Sequence, residues 1–133
     1  MLVSFCDTSI LCRNQQSQKK FRNSIKIWLR TNHLNKRYLN EETGYTIVIN
    51  STFIDKVTSK FGDVKVHALT SIQEIIKNAI FINSAEDTRK RPHILNVLKF
   101  ESLIDVDGER YNVWLYVRQT KNDYQLYSLN IKV

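Results

Sequence analysis

Apolar positions along the chain outline its elements before any other property is needed. Residues 1–16 show no clear period. From Ser17, an expected N-cap, Phe21, Ile25, Trp28 and Leu29 recur at helical spacing and predict a helix to about Thr31 with one buried stripe. Residues 32–43 read as a polar connection ending at Gly44, and 45–49 as a first β-rich strand. Asn50 or Ser51 then caps a short helix over 52–60, closed by Phe61-Gly62. A second helix is expected from Ala68 or Ser71 to about Ala79, with Leu69, Ile72, Ile75 and Ile76 on one face. Residues 81–83 suggest a brief strand, and the charged run 84–92 an exposed loop.

The last forty residues carry the clearest pattern. Asp107-Gly108 is a strong two-residue hairpin signal, because both positions tolerate the positive φ of a type I′ turn. That turn fixes a register in which Ile104 faces Tyr111, Phe100 faces Leu115 and Leu98 faces Val117, all on one apolar face. The other face pairs Asp105 with Arg110, Glu101 with Trp114, Lys99 with Tyr116 and Val97 with Arg118. A polar break at 120–123 leads to a final strand over 124–133, whose face the pattern leaves open. The expected fold is α+β, with N-terminal helices packed on a small antiparallel sheet that ends in a three-stranded meander.

Charge changes the picture next. The chain has 133 residues and a net charge of +7, with 42% hydrophobic positions, three glycines and one proline. This suits one ordered domain without staples. Residues 1–40 hold eight basic groups and one acid, whereas the twelve basic and twelve acidic residues from 41 onward cancel. The expected division is therefore a basic, largely helical segment, 1–40, packing on a neutral body, 41–133. Such asymmetry points to nucleic acid, an anionic surface or an acidic protein. Lys19, Lys20, Arg22 and Lys26 are the candidate contacts on the basic helix. Cys6 and Cys12 lack metal-ligand company and read as reduced cytosolic thiols. No apolar run reaches the length of a membrane helix, and the opening residues do not form a convincing signal peptide, so a cytoplasmic protein is expected.

The polar face of the meander alternates cations with aromatics: Lys99, Arg110, Trp114, Tyr116 and Arg118. Cations meet phosphates and aromatic rings stack on unpaired bases, so the mixture suits RNA. Arg118 stands out because Val97 opposite it offers no counter-charge. His33, His67 and His93 are available for proton transfer near neutral pH. No nucleophile elbow, phosphate-binding glycine loop or zinc motif is present. Acid–base and electrostatic chemistry on a phosphate, without metal or cofactor, is what remains.

The order of segments from Thr43 onward resembles the phage and polymorphic-toxin branch of the barnase–EndoU–colicin–RelE nuclease superfamily. The stretches that carry the resemblance are Gly44-Tyr45-Thr46-Ile47, Val66-His67-Ala68-Leu69, the helix end at 75–80, His93 leading a strand, Asp105 to Tyr111, Val117-Arg118 and Tyr124-Gln125-Leu126-Tyr127. The resemblance implies helices on one sheet face, an active site on the other, and metal-independent RNA cleavage through the 2′-hydroxyl. It implies His67 or His93 as general base or acid, Arg118 as charge stabiliser, Tyr127 as a positioning or proton-donating group, and Lys99 and Tyr116 as accessory contacts. A toxin of this kind would attract an acidic immunity protein. The competing expectation is a non-catalytic RNA- or protein-binding module, such as a phage-encoded inhibitor of a host factor.

Overall fold

In the computed structural model, residues 15–59 and 62–132 are described; Cys6, Cys12 and Phe61 lie outside them. Helix α1, Gln15–Asn32, buries Phe21, Ile25 and Leu29, as the stripe predicted. It is already helical at Gln15, so Ser17 lies inside it instead of capping it. Two short strands follow, β1 (Arg37–Leu39) and β2 (Thr46–Ile49), paired antiparallel. The stretch that holds β1 read as a polar connection because three residues with a single half-buried side chain show no usable period.

Helix α2, Ser51–Val57, is capped by Asn50, whose side-chain oxygen accepts the Phe53 N–H at 3.0 Å. The single helix expected next is two, α3 (Asp63–Thr70) and α4 (Ile72–Asn78). The backbone leaves helical geometry at Ser71, while the Ser71 N–H still bonds to the carbonyls of His67 and Ala68. Both helices turn apolar residues inward: Val66, Ala68 and Leu69 from one, Ile72, Ile75 and Ile76 from the other.

Strands β3 (Ile80–Ala85), β4 (Ile94–Val106), β5 (Glu109–Thr120) and β6 (Tyr124–Lys132) complete a six-stranded sheet ordered β1-β2-β6-β5-β4-β3. All neighbours are antiparallel except β2 and β6, which run parallel. The β4–β5 register is the one the turn predicted, with every expected cross-strand pair present and positive φ at Asp107 and Gly108. The fold is thus α+β, with the helices on one sheet face.

One core cluster joins the helical stripes to Ile47, Ile49, Leu98, Phe100, Val113, Leu115, Val117, Leu126 and Leu129 of the sheet. Asn40, fully buried, fastens its edge. Its amide donates to the carbonyls of Ile76 and Ala79 at 2.8 Å each, and its oxygen accepts the Thr43 N–H and hydroxyl. The β1–β2 turn is thereby tied to the end of α4. Replacing a residue that satisfies two buried carbonyls and two half-buried groups of Thr43 leaves several of them without partners, at about 1–3 kcal/mol for a buried group left bare. Asn40→Ala is expected to destabilise the fold by about 3 kcal/mol in urea unfolding; a change under about 1 kcal/mol would show that water replaces the amide.

Candidate functional site

The face of the sheet away from the helices is where polar side chains of β4, β5 and β6 gather. Its geometry depends on an irregularity in β6. Tyr116 pairs with Ser128, but Val117 pairs with Leu126, so Tyr127 is the extra residue of a β-bulge. Leu126 and Leu129 both reach the core across this bulge. Tyr127 is turned to the open face beside Arg118.

The two side chains stack. The Arg118 guanidinium carbon lies 3.4 Å from the centre of the Tyr127 ring, and the Lys56 ammonium of α2 lies 3.5 Å from the same centre. Both cations therefore lie within cation–π range of the same ring. Together with Tyr116 and Ser128, this pair floors a pocket of about 420 Å³. Its wall is the β3–β4 connection, which brings in Glu86, Asp87, Arg89 and Arg91.

That connection is ordered by a buried carboxylate. Asp87 accepts the backbone N–H of Arg91 at 2.9 Å and two guanidinium N–H groups of the same residue at 2.9 and 2.8 Å. The run expected to be an exposed loop thus contains one of the few buried charged residues among those described, because Asp87 is paired within the loop itself. The Arg91 hydrogen bonds hold the Asp87 carboxyl far below the ordinary aspartate range. Lys90 turns the chain there with φ of 51°.

Arg118 is less well served. Its Nε is buried without a hydrogen-bond partner, the only such side-chain atom among the described residues. Burial, and then the neighbouring Arg91 charge, lower its pKa. The Tyr127 phenol is pushed below its ordinary value, first by the Lys56 ammonium beside it and then by the Arg118 and Arg91 charges, against an opposing effect of burial. A half-buried pocket therefore holds several cations, an acidified phenol and one unsatisfied guanidinium N–H. Such a site favours a bound anion and can donate a proton to it.

A family model, large polyvalent protein-associated domain 3, matches residues 16–127. The chain belongs to this family. No curated protein and no solved structure matches it. The family's description names association with large polyvalent proteins and no activity. Within this polyvalent protein-associated domain the match spans Lys56, Asp87, Arg91 and Arg118 and ends at Tyr127.

Of the residues singled out in the sequence, Tyr116, Arg118 and Tyr127 come together in the pocket. His67 is half-buried on α3 and His93 is exposed in the turn just before β4; neither lines it. His33 is buried against Trp28 and Tyr38 and bonds to the Tyr38 hydroxyl through Nδ1. Trp114 donates its indole N–H to Glu101, with the Lys99 ammonium 3.9 Å from its ring centre. Arg110 sits at the hairpin end, 3.5 Å from Asp105. On α1, Lys26 is paired with Asp55 of α2 at 3.1 Å, whereas Lys19 and Lys20 are exposed and Arg22 half-exposed. No helix among the described residues is long and apolar enough to cross a membrane.

Lys56, Glu86, Asp87, Arg89 and Arg91 were not found by sequence reasoning. The spacing Asp87-x-x-x-Arg91 hints at a clip, and the three-residue step from Leu126 to Leu129 breaks strand alternation and signals the bulge. Nothing local connects Lys56 to Tyr127.

The Asp87 clip has a defined pH signature. Its folded pKa is depressed, so its stabilisation is fully present above the ordinary aspartate pKa of 3.8 and is lost as pH falls below it toward the folded value. The stability gap between wild type and Asp87→Asn should therefore be flat from neutrality down to mild acid and close only in stronger acid. Unfolding midpoints measured across pH check this, and a gap that closes near neutrality would contradict the pairing.

Proposed function

We propose that this domain is a metal-independent endoribonuclease whose pocket binds the scissile phosphate of RNA. The observation that carries the reading is the buried, unpartnered Nε of Arg118 stacked on an acidified Tyr127. A phosphodiester supplies the acceptor that Arg118 lacks, and the stacked ring limits the guanidinium's freedom before substrate arrives. Arg89 and Arg91 add charge at the pocket wall.

The chemistry follows from the groups present. Glu86, the pocket carboxylate outside the Asp87 clip, takes the proton of the ribose 2′-hydroxyl. The 2′-oxygen attacks phosphorus, and the bond from phosphorus to the 5′-oxygen breaks. Tyr127 donates its proton to that leaving oxygen, giving a 2′,3′-cyclic phosphate and a free 5′-hydroxyl. Arg118 and Lys56 stabilise the charge that builds on the phosphoryl oxygens and on the phenolate. His67 and His93 have no part in this scheme because neither lines the pocket. A cationic site of this kind suits neutralisation by an acidic immunity protein in the bacterial cytosol.

The test is cleavage of total cellular RNA in EDTA, with new ends mapped by sequencing. Arg118→Ala is expected to lower the rate by about 10²–10³-fold and Tyr127→Phe by about 10²-fold or more, with His93→Ala near wild type. The donor must be protonated, so activity falls as pH rises through the phenol pKa. Lys56→Ala removes the first stabiliser of the phenolate, raises that pKa and moves the alkaline limb to higher pH. Intact RNA with folded protein would leave a non-catalytic binding module as the reading. Cleavage that survives Arg118→Ala would remove the pocket from the mechanism.

A further inference from the structure

The cationic surface does not stop at Tyr127. A second hollow of about 270 Å³ shares Ser128 with the pocket and runs on past Lys56, Ser59, Lys65 and Asn130. A third, of about 490 Å³, shares Lys65 and Asn130 with the second and ends at Lys132, with Gly62 and Asp63 on its far side. The shared residues make the three hollows one furrow along β6, bordered by α2 and α3. At about 3.4 Å per residue, Tyr127 to Lys132 covers about 17 Å.

The lining has a consistent chemistry. Lys56, Lys65 and Lys132 are spaced along the furrow, interleaved with the hydroxyls of Ser59 and Ser128 and the amide of Asn130. Asp63 is the single acidic residue lining the second and third hollows. Lys132 also lies 5.1 Å from the Trp114 ring, so an aromatic stands beside the last cation. Spaced cations with neutral hydrogen-bonding groups between them and an aromatic at the end match the needs of a flexible polyanion whose units carry hydroxyls and bases. A flexible single strand can bend to follow hollows strung along β6, which a stiff duplex does less readily.

We infer that the second and third hollows form a binding track for single-stranded RNA that continues from the scissile phosphate toward Lys132. This rests on the proposed nuclease reading for its starting point, but it concerns binding and is tested without cleavage. The track makes affinity depend on the length of the strand. It also assigns Lys65 and Lys132 to phosphates beyond the reacting one.

The experiment uses 2′-O-methyl oligoribonucleotides, which lack the nucleophile, in a series from the dinucleotide upward. Binding to the full chain is followed by fluorescence anisotropy over a range of KCl concentrations. Affinity is expected to climb beyond the dinucleotide and then level off. Lys65→Ala and Lys132→Ala should each reduce the salt slope for the longer oligomers by about 0.7, with dinucleotide affinity unchanged. The track is overturned if affinity is independent of length, if duplex RNA binds equally well, or if polyglutamate competes as strongly as RNA. Cleavage in EDTA without length-dependent binding would overturn the track and keep the nuclease. Length-dependent binding without cleavage would keep the track and overturn the nuclease.

Discussion

The site depends on a conflict inside β6 between strand alternation and the core. Leu126 and Leu129 both fill the core, yet they stand three positions apart, and a regular strand cannot point both the same way. The bulge resolves this by taking Tyr127 out of the pairing with β5. An apolar requirement on one face thereby places a phenol on the other, next to the one arginine of β5 that has no cross-strand counter-charge. Without the bulge one of the two leucines would leave the core, and keeping Leu129 there would also turn Tyr127 away from Arg118.

What surrounds that pair is electrostatic sorting. Four cations among the described residues have carboxylate partners: Arg91 on Asp87, Lys26 and Arg30 on Asp55, and Arg110 on Asp105. Arg118 has a ring instead of a carboxylate, and its Nε has nothing. An unsatisfied buried N–H costs about 1–3 kcal/mol, a standing cost that the proposed phosphate would remove. The Asp87 clip matters here in a second way. By engaging two of Arg91's guanidinium N–H groups within the loop, it fixes the pocket wall while leaving the Arg91 charge close enough to act on Tyr127 and Arg118.

Much of the fold was legible because local signals agreed with one another. Asp107-Gly108 fixed the longest strand pair, and the Phe21, Ile25 and Leu29 stripe fixed the buried face of α1. Strand β1 and the parallel pairing of β2 with β6 were not legible, since both depend on partners remote in sequence. The site divides in the same way. Arg118 could be singled out from the hairpin register alone, because a missing counter-charge is a cross-strand property that the turn determines. Lys56 could not, because its contact with Tyr127 joins the helix after β2 to the last strand. The histidines drew notice for their chemistry, but side-chain chemistry carries no information about position, and the pocket formed elsewhere.

In the proposed function a phosphate completes the hydrogen bonding of Arg118. The most direct measurement is the nitrogen-15 resonance of the Arg118 Nε–H, assigned by its loss in Arg118→Lys, as a 2′-O-methyl oligoribonucleotide is added. A large, saturable shift and slowed exchange of that proton with water are expected. A resonance that stays in place while the oligonucleotide binds would contradict the proposed contact.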